Sequence, residues 1–247
     1  MSQPLVDRFV STRTPMEQTT DRWAAALLGG AALGGATLLA CAIQGWGAGL
    51  LPAGALRLAS ALAFGLVLAP VLAAGGRLFG RSCNEDDRPT ELIDGLGDLL
   101  GNACGALLVA VPAGLLLRMA FAGGGLEATL ATLAEARSDP PFESLLLRAT
   151  LCGALMAIGL ENWRAGERLI DRLGGFLLAI LPMVLLGFSL VAVDLLVLPM
   201  TLLMEGSIHS AQWIPSLFPV MWGNLMGAAM VAAFFGRRDQ PRAAAAS

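Results

Sequence analysis

One carboxylate inside an apolar run marks where this chain could do chemistry. Asp194 lies in the run 181–200, which also contains Pro182 and Gly187. A helix of about 20 apolar residues can cross a bilayer. Pro and Gly interrupt the hydrogen bonds of such a helix, and a carboxylate at that depth is costly unless water or a partner reaches it. The run therefore predicts a broken membrane helix beside a solvated pathway, not a plain anchor.

The same spacing of Pro and Gly occurs in the first half of the chain. Pro70 precedes Gly75 by five residues, as Pro182 precedes Gly187. A GNxxG motif then follows in each half. The motifs are residues 101–105, with Asn102 at the second position, and residues 223–227, with Asn224 there. The matching order predicts an internal repeat; the alternative is a chance match between Gly-rich helices.

The composition places these features in a membrane. Hydrophobic residues make up 56% of the 247 residues, charged residues make up 14%, and the mean hydropathy is +0.69. We therefore predict an all-α integral membrane protein with six spans. The apolar segments are residues 23–43, 51–78, 92–117, 142–160, 174–204 and 213–235.

The six spans divide into two halves of three. With three spans each, the halves enter the membrane from opposite sides, which is the inverted-repeat design of many channels and transporters. We predict an N-terminal arm (1–22), a channel domain (23–236) with repeats of about 23–118 and 142–236, and a C-terminal tail (237–247). The second and fifth spans are the broken ones.

Arginines near the span ends predict the orientation, because positively charged flanks stay on the cytoplasmic side. The richer side carries Arg8, Arg13, Arg22, Arg77, Arg81, Arg88, Arg164, Arg168, Arg172, Arg237, Arg238 and Arg242. The other side carries only Arg57, Arg118 and Arg137. We predict that the chain lies in a bacterial inner membrane with both termini in the cytoplasm. Arg148, about two turns into the fourth span, either reaches outward to the interface or faces the pathway.

Other reactive residues form no constellation in the sequence. Cys41, Cys83, Cys104 and Cys152 lack metal-ligand spacing, and we predict neither a disulfide nor a metal site. His209 is the only histidine, and it falls in a predicted outer loop. No Ser/His/Asp set, cofactor fingerprint or phosphate-binding loop occurs, and no basic domain would bind nucleic acid. We expect no enzymatic activity and no cofactor.

Four motifs occur in a consistent order along the chain. They are residues 77–79 (RLF), 100–102 (LGN), 187–200 (GFSLVAVDLLVLPM) and 218–224 (FPVMWGN). In these residues the chain resembles the formate/nitrite transporter family, whose motifs are ELF, YLGN, GFEHxxANMFFIPM and IPVTLGN. The resemblance implies a homopentamer in the lipid bilayer whose six-span protomers each have a pore. It also implies passage of small monovalent weak-acid anions, often with proton coupling, past two apolar constrictions and a central histidine.

The resemblance assigns residues to the constrictions and to the outer mouth. Phe64 and Leu68 fall at the outer constriction, and Leu78 and Met183 at the inner one. Arg137 matches a basic residue that would attract anions to the outer mouth. A narrow apolar collar penalises a bare ion and passes a neutral acid more easily. The alternative is that these apolar residues belong to the packed core.

The chain departs from the family at the second break. Leu190 stands where the family has its central histidine, and leucine cannot hold or relay a proton. Ser189 replaces the acidic residue before it, and Asp194 replaces an asparagine. We therefore expect altered proton coupling.

The first break departs from the family as well. Arg77 replaces the glutamate of ELF, and Gly80 replaces the threonine that follows. We predict that the residues at both breaks line the central pore, namely Arg77, Gly80, Ser189, Leu190 and Asp194, together with Asn102 and Asn224. Because a charge in low dielectric needs a partner or water, we also predict that Arg77 approaches Asp194.

Three functions are compatible with this sequence. The first is a channel or transporter for a small monovalent weak-acid anion or its neutral acid. The second is a channel for another neutral or cationic solute, with Asp194 favouring a cation. The third is a non-conducting structural or interaction protein that keeps the bundle, for which the missing histidine is the main argument.

Overall fold

A computed structural model describes the backbone of residues 15–79, 91–120, 124–138, 140–205 and 210–244. Its side chains are described over residues 21–79, 95–119, 124–137, 140–204 and 215–235. Within these ranges every regular element is an α-helix. The helices are α1 (Pro15–Gly47), α2 (Ala53–Ala73), α3 (Glu91–Ala120), α4 (Gly125–Ser138), α5 (Phe142–Ala165), α6 (Leu169–Leu185), α7 (Val191–Glu205) and α8 (Ser210–Ala244).

Five of these helices are long and apolar enough to cross a membrane. Their apolar parts are Asp21–Gly47, Ala53–Ala73, Gly95–Met119, Phe142–Ala165 and Pro215–Phe235. The predicted fifth span, residues 174–204, is not one helix but two, α6 and α7, separated by the break. Helix α4 was not predicted at all, because its sequence lies in a segment that the hydropathy pattern assigned to a loop.

The two helix breaks have the same backbone geometry. In the first, the N–H of Ala74 donates to the Pro70 carbonyl at 2.9 Å, and Gly75 has φ +89°. In the second, the N–H of Leu186 donates to the Pro182 carbonyl at 3.0 Å, and Gly187 has φ +65°. Positive φ is readily available to glycine alone, so the spacing of Pro and Gly determines where each helix stops.

Close helix packing in each half depends on an equivalent glycine. A Cβ on Gly30 of α1 would collide with the backbone carbonyl of Asn102 in α3. A Cβ on Gly153 of α5 would collide with the backbone carbonyl of Asn224 in α8. Helix α1 therefore packs on α3 as α5 packs on α8, and this equivalence brings each GNxxG motif against the helix that starts its half.

Candidate functional site

Asn102 ties the first break to two helices. Its side-chain oxygen accepts a hydrogen bond from the N–H of Phe79 at 2.7 Å. Its amide nitrogen donates to the Ala26 carbonyl at 2.7 Å and to the Arg77 carbonyl at 2.8 Å. Because the Asn102 side chain is buried and both of its N–H groups are used, it holds the Arg77 and Phe79 backbone groups, which have left the helical ladder, against α1.

Asn224 does the same for the second break. Its side-chain oxygen accepts a hydrogen bond from the N–H of Val191 at 3.0 Å. Its amide nitrogen donates to the carbonyls of Ala149 and Ser189, both at 2.9 Å. The two asparagines thus bind equivalent backbone atoms in the two halves. We call each set of three hydrogen bonds an asparagine clamp.

A small cavity lies between the two breaks, with room for about one water molecule. Its lining consists of Leu33, Leu78, Phe79, Leu99, Asn102, Met156, Leu190, Val191 and Ala192. Asn102 is the only polar residue among them, and its amide hydrogens are already donated to backbone carbonyls. The cavity wall therefore offers a solute almost no free hydrogen-bond donor.

The structure brings some of the predicted constriction residues together. Leu78, predicted at the inner constriction, and Leu190, predicted at the position of the family histidine, line the same cavity from opposite breaks. Phe64, Leu68 and Met183 are buried in the same apolar cluster as these two leucines, but they do not line the cavity. Their assignment to constrictions stays a prediction.

Asp194 is paired with Arg137. The Nε of Arg137 donates to Oδ1 of Asp194 at 2.7 Å, and the two side chains are only 11% and 4% exposed. Arg137 lies on α4 and Asp194 in the first turn of α7, so the pair fastens the unpredicted helix beside the second break. The predicted pairing of Arg77 with Asp194 is wrong, because Asp194 pairs with Arg137 and Arg77 pairs with Asp98.

Arg77 instead belongs to an ion cluster at the first break. Its Nη2 lies 3.2 Å from Oδ2 of Asp98, and the Nε of Arg22 lies 3.2 Å from Oδ1 of the same carboxylate. Asp98 is buried on α3, one turn before Asn102. Arg77 and Leu78 are neighbours in a segment without regular structure, where the Arg77 side chain reaches Asp98 and the Leu78 side chain lines the cavity. The first break is thus held by one turn of α3, through its backbone and through Arg77.

The roles of Asp98 and Arg22, and helix α4, were missed from the sequence. Asp98 lies inside an apolar window, four residues before Asn102, and an intramembrane carboxylate at that spacing is itself a signal. In α4, the buried residues Leu126, Leu130 and Ala134 recur every four residues, which is a helical pattern. Both signals were available, but a search for long apolar spans does not detect them.

The remaining predicted residues lie outside the cavity lining or outside the described residues. Ser189 is buried, and its carbonyl belongs to the second asparagine clamp. Gly80 and His209 lie outside the described residues. Cys41, Cys104 and Cys152 are free thiols. Among the described residues, no cluster of His, Cys, Asp and Glu side chains could hold a metal ion.

Comparisons with known proteins agree with this architecture. A family model described as formate/nitrite transporter matches residues 95–236. A solved structure, "Pentameric formate channel with formate bound", is 19% identical, with a TM-score of 0.77, and the match covers 90% of this chain and 97% of that chain. An "FNT family ion channel" is 17% identical, with a TM-score of 0.75 and coverages of 89% and 90%. No curated protein matches the sequence. The predicted fold class, an all-α membrane protein with paired helix breaks, is confirmed.

Proposed function

Since the chain belongs to the formate/nitrite transporter family, we propose that it is a transmembrane channel or transporter for a small solute, most specifically a monovalent weak acid that crosses in its neutral form. One observation supports passage of the solute in its neutral form. The cavity between Leu78 and Leu190 is apolar, and its one polar side chain, Asn102, has both amide hydrogens engaged.

The physical argument rests on desolvation. A bare anion entering an apolar collar loses its hydration shell, and nothing in the lining replaces it. A protonated acid of the same size loses far less hydration free energy when it enters the collar. With leucine at the position of the histidine, the proton comes from bulk water in the vestibule, not from a side chain between the constrictions. Uptake should therefore follow the external concentration of the neutral acid.

The charges beside the pathway favour a neutral solute over a cation. The Arg137–Asp194 pair is almost fully buried at 2.7 Å, so the carboxylate that suggested a cation site is already neutralised. Arg137 keeps its proposed place near the outer mouth, as the partner of Asp194. Phe64 with Leu68, and Leu78 with Met183, are the proposed constrictions.

Uptake into proteoliposomes tests this proposal. The protein should admit labelled formate or nitrite faster than empty liposomes do. The rate should rise as the external pH falls, in proportion to the neutral acid. Replacing Leu190→His should flatten that dependence, because a side chain would then handle the proton. Leu195→His, in the helix α7 that begins directly after Leu190, is the matched control. A rate that follows the anion concentration instead would contradict the neutral form.

The non-conducting alternative also has an observation in its favour. Leu68 and Leu78 are 0% and 1% exposed, and the cavity between the breaks has room for only about one water molecule. If no small solute enters proteoliposomes above the background of empty liposomes, across the pH series, the non-conducting function replaces the channel.

Assembly and orientation follow the family as proposals. We propose a homopentamer in a bacterial inner membrane, with both termini cytoplasmic and one pathway per protomer, and without a cofactor or enzymatic activity. The structural neighbour described as pentameric and the Arg-rich ends of the spans support this. Native mass spectrometry tests the pentamer. Protease digestion of a C-terminal tag in inverted and right-side-out vesicles tests the orientation.

A further inference from the structure

Arg148 is a charged residue on an outward-facing apolar surface. It lies on α5, six residues after Phe142 at the start of that helix, and its side chain is exposed. Leu147 and Leu151 flank it on the same face and are 62% and 43% exposed. The sequence left two positions open for Arg148, outward at the interface or facing the pathway, and in the structure its side chain lies on the outward surface. No role in the proposed pathway uses Arg148.

A guanidinium at this depth needs an acceptor. Six residues of helix place its Cα about 9 Å inside the N-terminal end of α5. Arginine stays protonated, and helical side chains lean toward the N-terminus, so Arg148 points back toward the nearer membrane surface. Lipid tails offer no acceptor, whereas the headgroup region that an extended arginine reaches is rich in phosphate.

The chain itself offers Arg148 little competition. None of the ion pairs between described residues includes Arg148. The described carboxylates that lie deep in the bundle, Asp98 and Asp194, are buried and paired, so a second copy would not present them on its surface. Glu143, five residues earlier on α5, is an exposed carboxylate that a second copy would present, but the exposed apolar side chains of Leu147 and Leu151 beside Arg148 favour a lipid over that copy.

We propose that Arg148 binds the phosphate of a phospholipid in the leaflet around the N-terminal end of α5. Leu147 and Leu151 contact an acyl chain of the same lipid. The site is independent of the proposed transport function, since Arg148 lies on the outer surface and the pathway lies within the bundle.

Native mass spectrometry with added phosphatidylglycerol tests the site. Arg148→Leu should weaken the tightest phosphatidylglycerol binding about fivefold, as expected for one lost arginine–phosphate contact. Arg148→Lys should keep most of it. The matched control is Arg164→Leu on the same helix. Because Arg164 is already paired with Glu161 at 3.0 Å, this substitution should leave lipid binding unchanged. Diacylglycerol, which lacks the phosphate, should bind wild type and Arg148→Leu equally weakly.

Three results would overturn the site. In the first, Arg148→Leu binds phosphatidylglycerol as tightly as wild type does. In the second, diacylglycerol binds wild type as well as phosphatidylglycerol does. In the third, Arg148→Leu lowers the oligomeric mass while lipid binding stays unchanged, which would assign Arg148 to a contact between copies. Should Arg148→Leu prove unstable in detergent, Arg148→Gln removes the charge while keeping a polar side chain, and the same readouts apply.

Discussion

The two helix breaks share a backbone design but differ in charge. Each has a Pro–Gly turn and an asparagine clamp. At the first break, however, three charged residues surround the clamp, whereas the corresponding positions of the second break are uncharged and buried. The charged set is Arg22, Arg77 and Asp98, and the corresponding set is Leu145, Ser189 and Val220. A break can evidently be held with or without ions.

This difference separates the contacts that a helix break requires from those that are optional. The clamps satisfy backbone groups that a lipid environment would leave unpaired, so a break in a membrane helix requires them. Buried ions are optional, because desolvation offsets much of their attraction, and an apolar set of similar volume is often as stable. The second break has its own ion pair, Arg137–Asp194, but this fastens α4 to α7 and leaves the turn itself untouched.

The largest effects should come from the clamps. Asn102→Ala and Asn224→Ala each leave two backbone groups of a break without a partner and remove one further hydrogen bond to a helical carbonyl. Because a buried group without a hydrogen bond costs about 1–3 kcal/mol and a lost hydrogen bond about 1 kcal/mol, each variant should lose ~3–7 kcal/mol of the free energy of unfolding. SDS titration in mixed micelles measures this. Asn162→Ala is the control, since Asn162 donates a single bond to the Gly175 carbonyl at 3.0 Å and should lose ~1 kcal/mol. If either clamp variant lost no more stability than Asn162→Ala, the break concerned would not require its asparagine clamp.

The ion pair beside the second break should rank next. Asp194→Asn leaves the buried Arg137 without a counter-ion, and breaking such a pair costs about 3–5 kcal/mol. Arg137→Gln should cost a similar amount, and the double variant should lose less than the sum of the two. If Asp194→Asn instead left stability unchanged and lowered uptake of a cation, the cation alternative would return. Unfolding and uptake measured on the same four proteins separate the two outcomes.

The charged set of the first break should have a smaller effect. Asp98→Val removes the counter-ion of Arg22 and Arg77, whose side chains are 27% and 17% exposed and so reach water. We expect a loss of about 1–2 kcal/mol, below that of a fully buried pair.

A triple variant then tests whether the ions are optional. Arg22→Leu, Arg77→Ser and Asp98→Val together give the first break the residues of the second. The triple variant should be more stable than Asp98→Val alone, and close to wild type in the same SDS titration. A triple variant less stable than Asp98→Val would mean that the first break needs its ions.

The sequence predicted the breaks but not the partners of the charges, for a physical reason. Pro70 with Gly75 and Pro182 with Gly187 act on their own backbone, so five residues of spacing are enough to locate each turn. Asn102 and Asn224 were located by their motif, although their role as clamps required the contact with a distant helix.

The ion pairs lie beyond such local signals. Arg137 pairs with a residue 57 positions away, and Arg77 with one 21 positions away. Several pairings satisfy the same need for a counter-ion, and only the packing of α3, α4 and α7 selects among them. The rule that a buried charge has a partner was correct, but the partner predicted from the sequence was wrong.

The smallest effect distinguishes the two turns themselves. Gly75 and Gly187 both have open space where a Cβ would lie, so alanine there is disfavoured by backbone conformation alone. At φ +65°, Gly187 lies in the left-handed region, and Gly187→Ala should cost about 1 kcal/mol. At φ +89°, Gly75 lies further from the conformations of an L residue, so Gly75→Ala should cost somewhat more. Gly97→Ala within α3, also with open space, should instead raise the free energy of unfolding by ~0.5–1 kcal/mol. Equal losses at Gly75, Gly187 and Gly97 would show that glycine's conformational freedom does not set the turns.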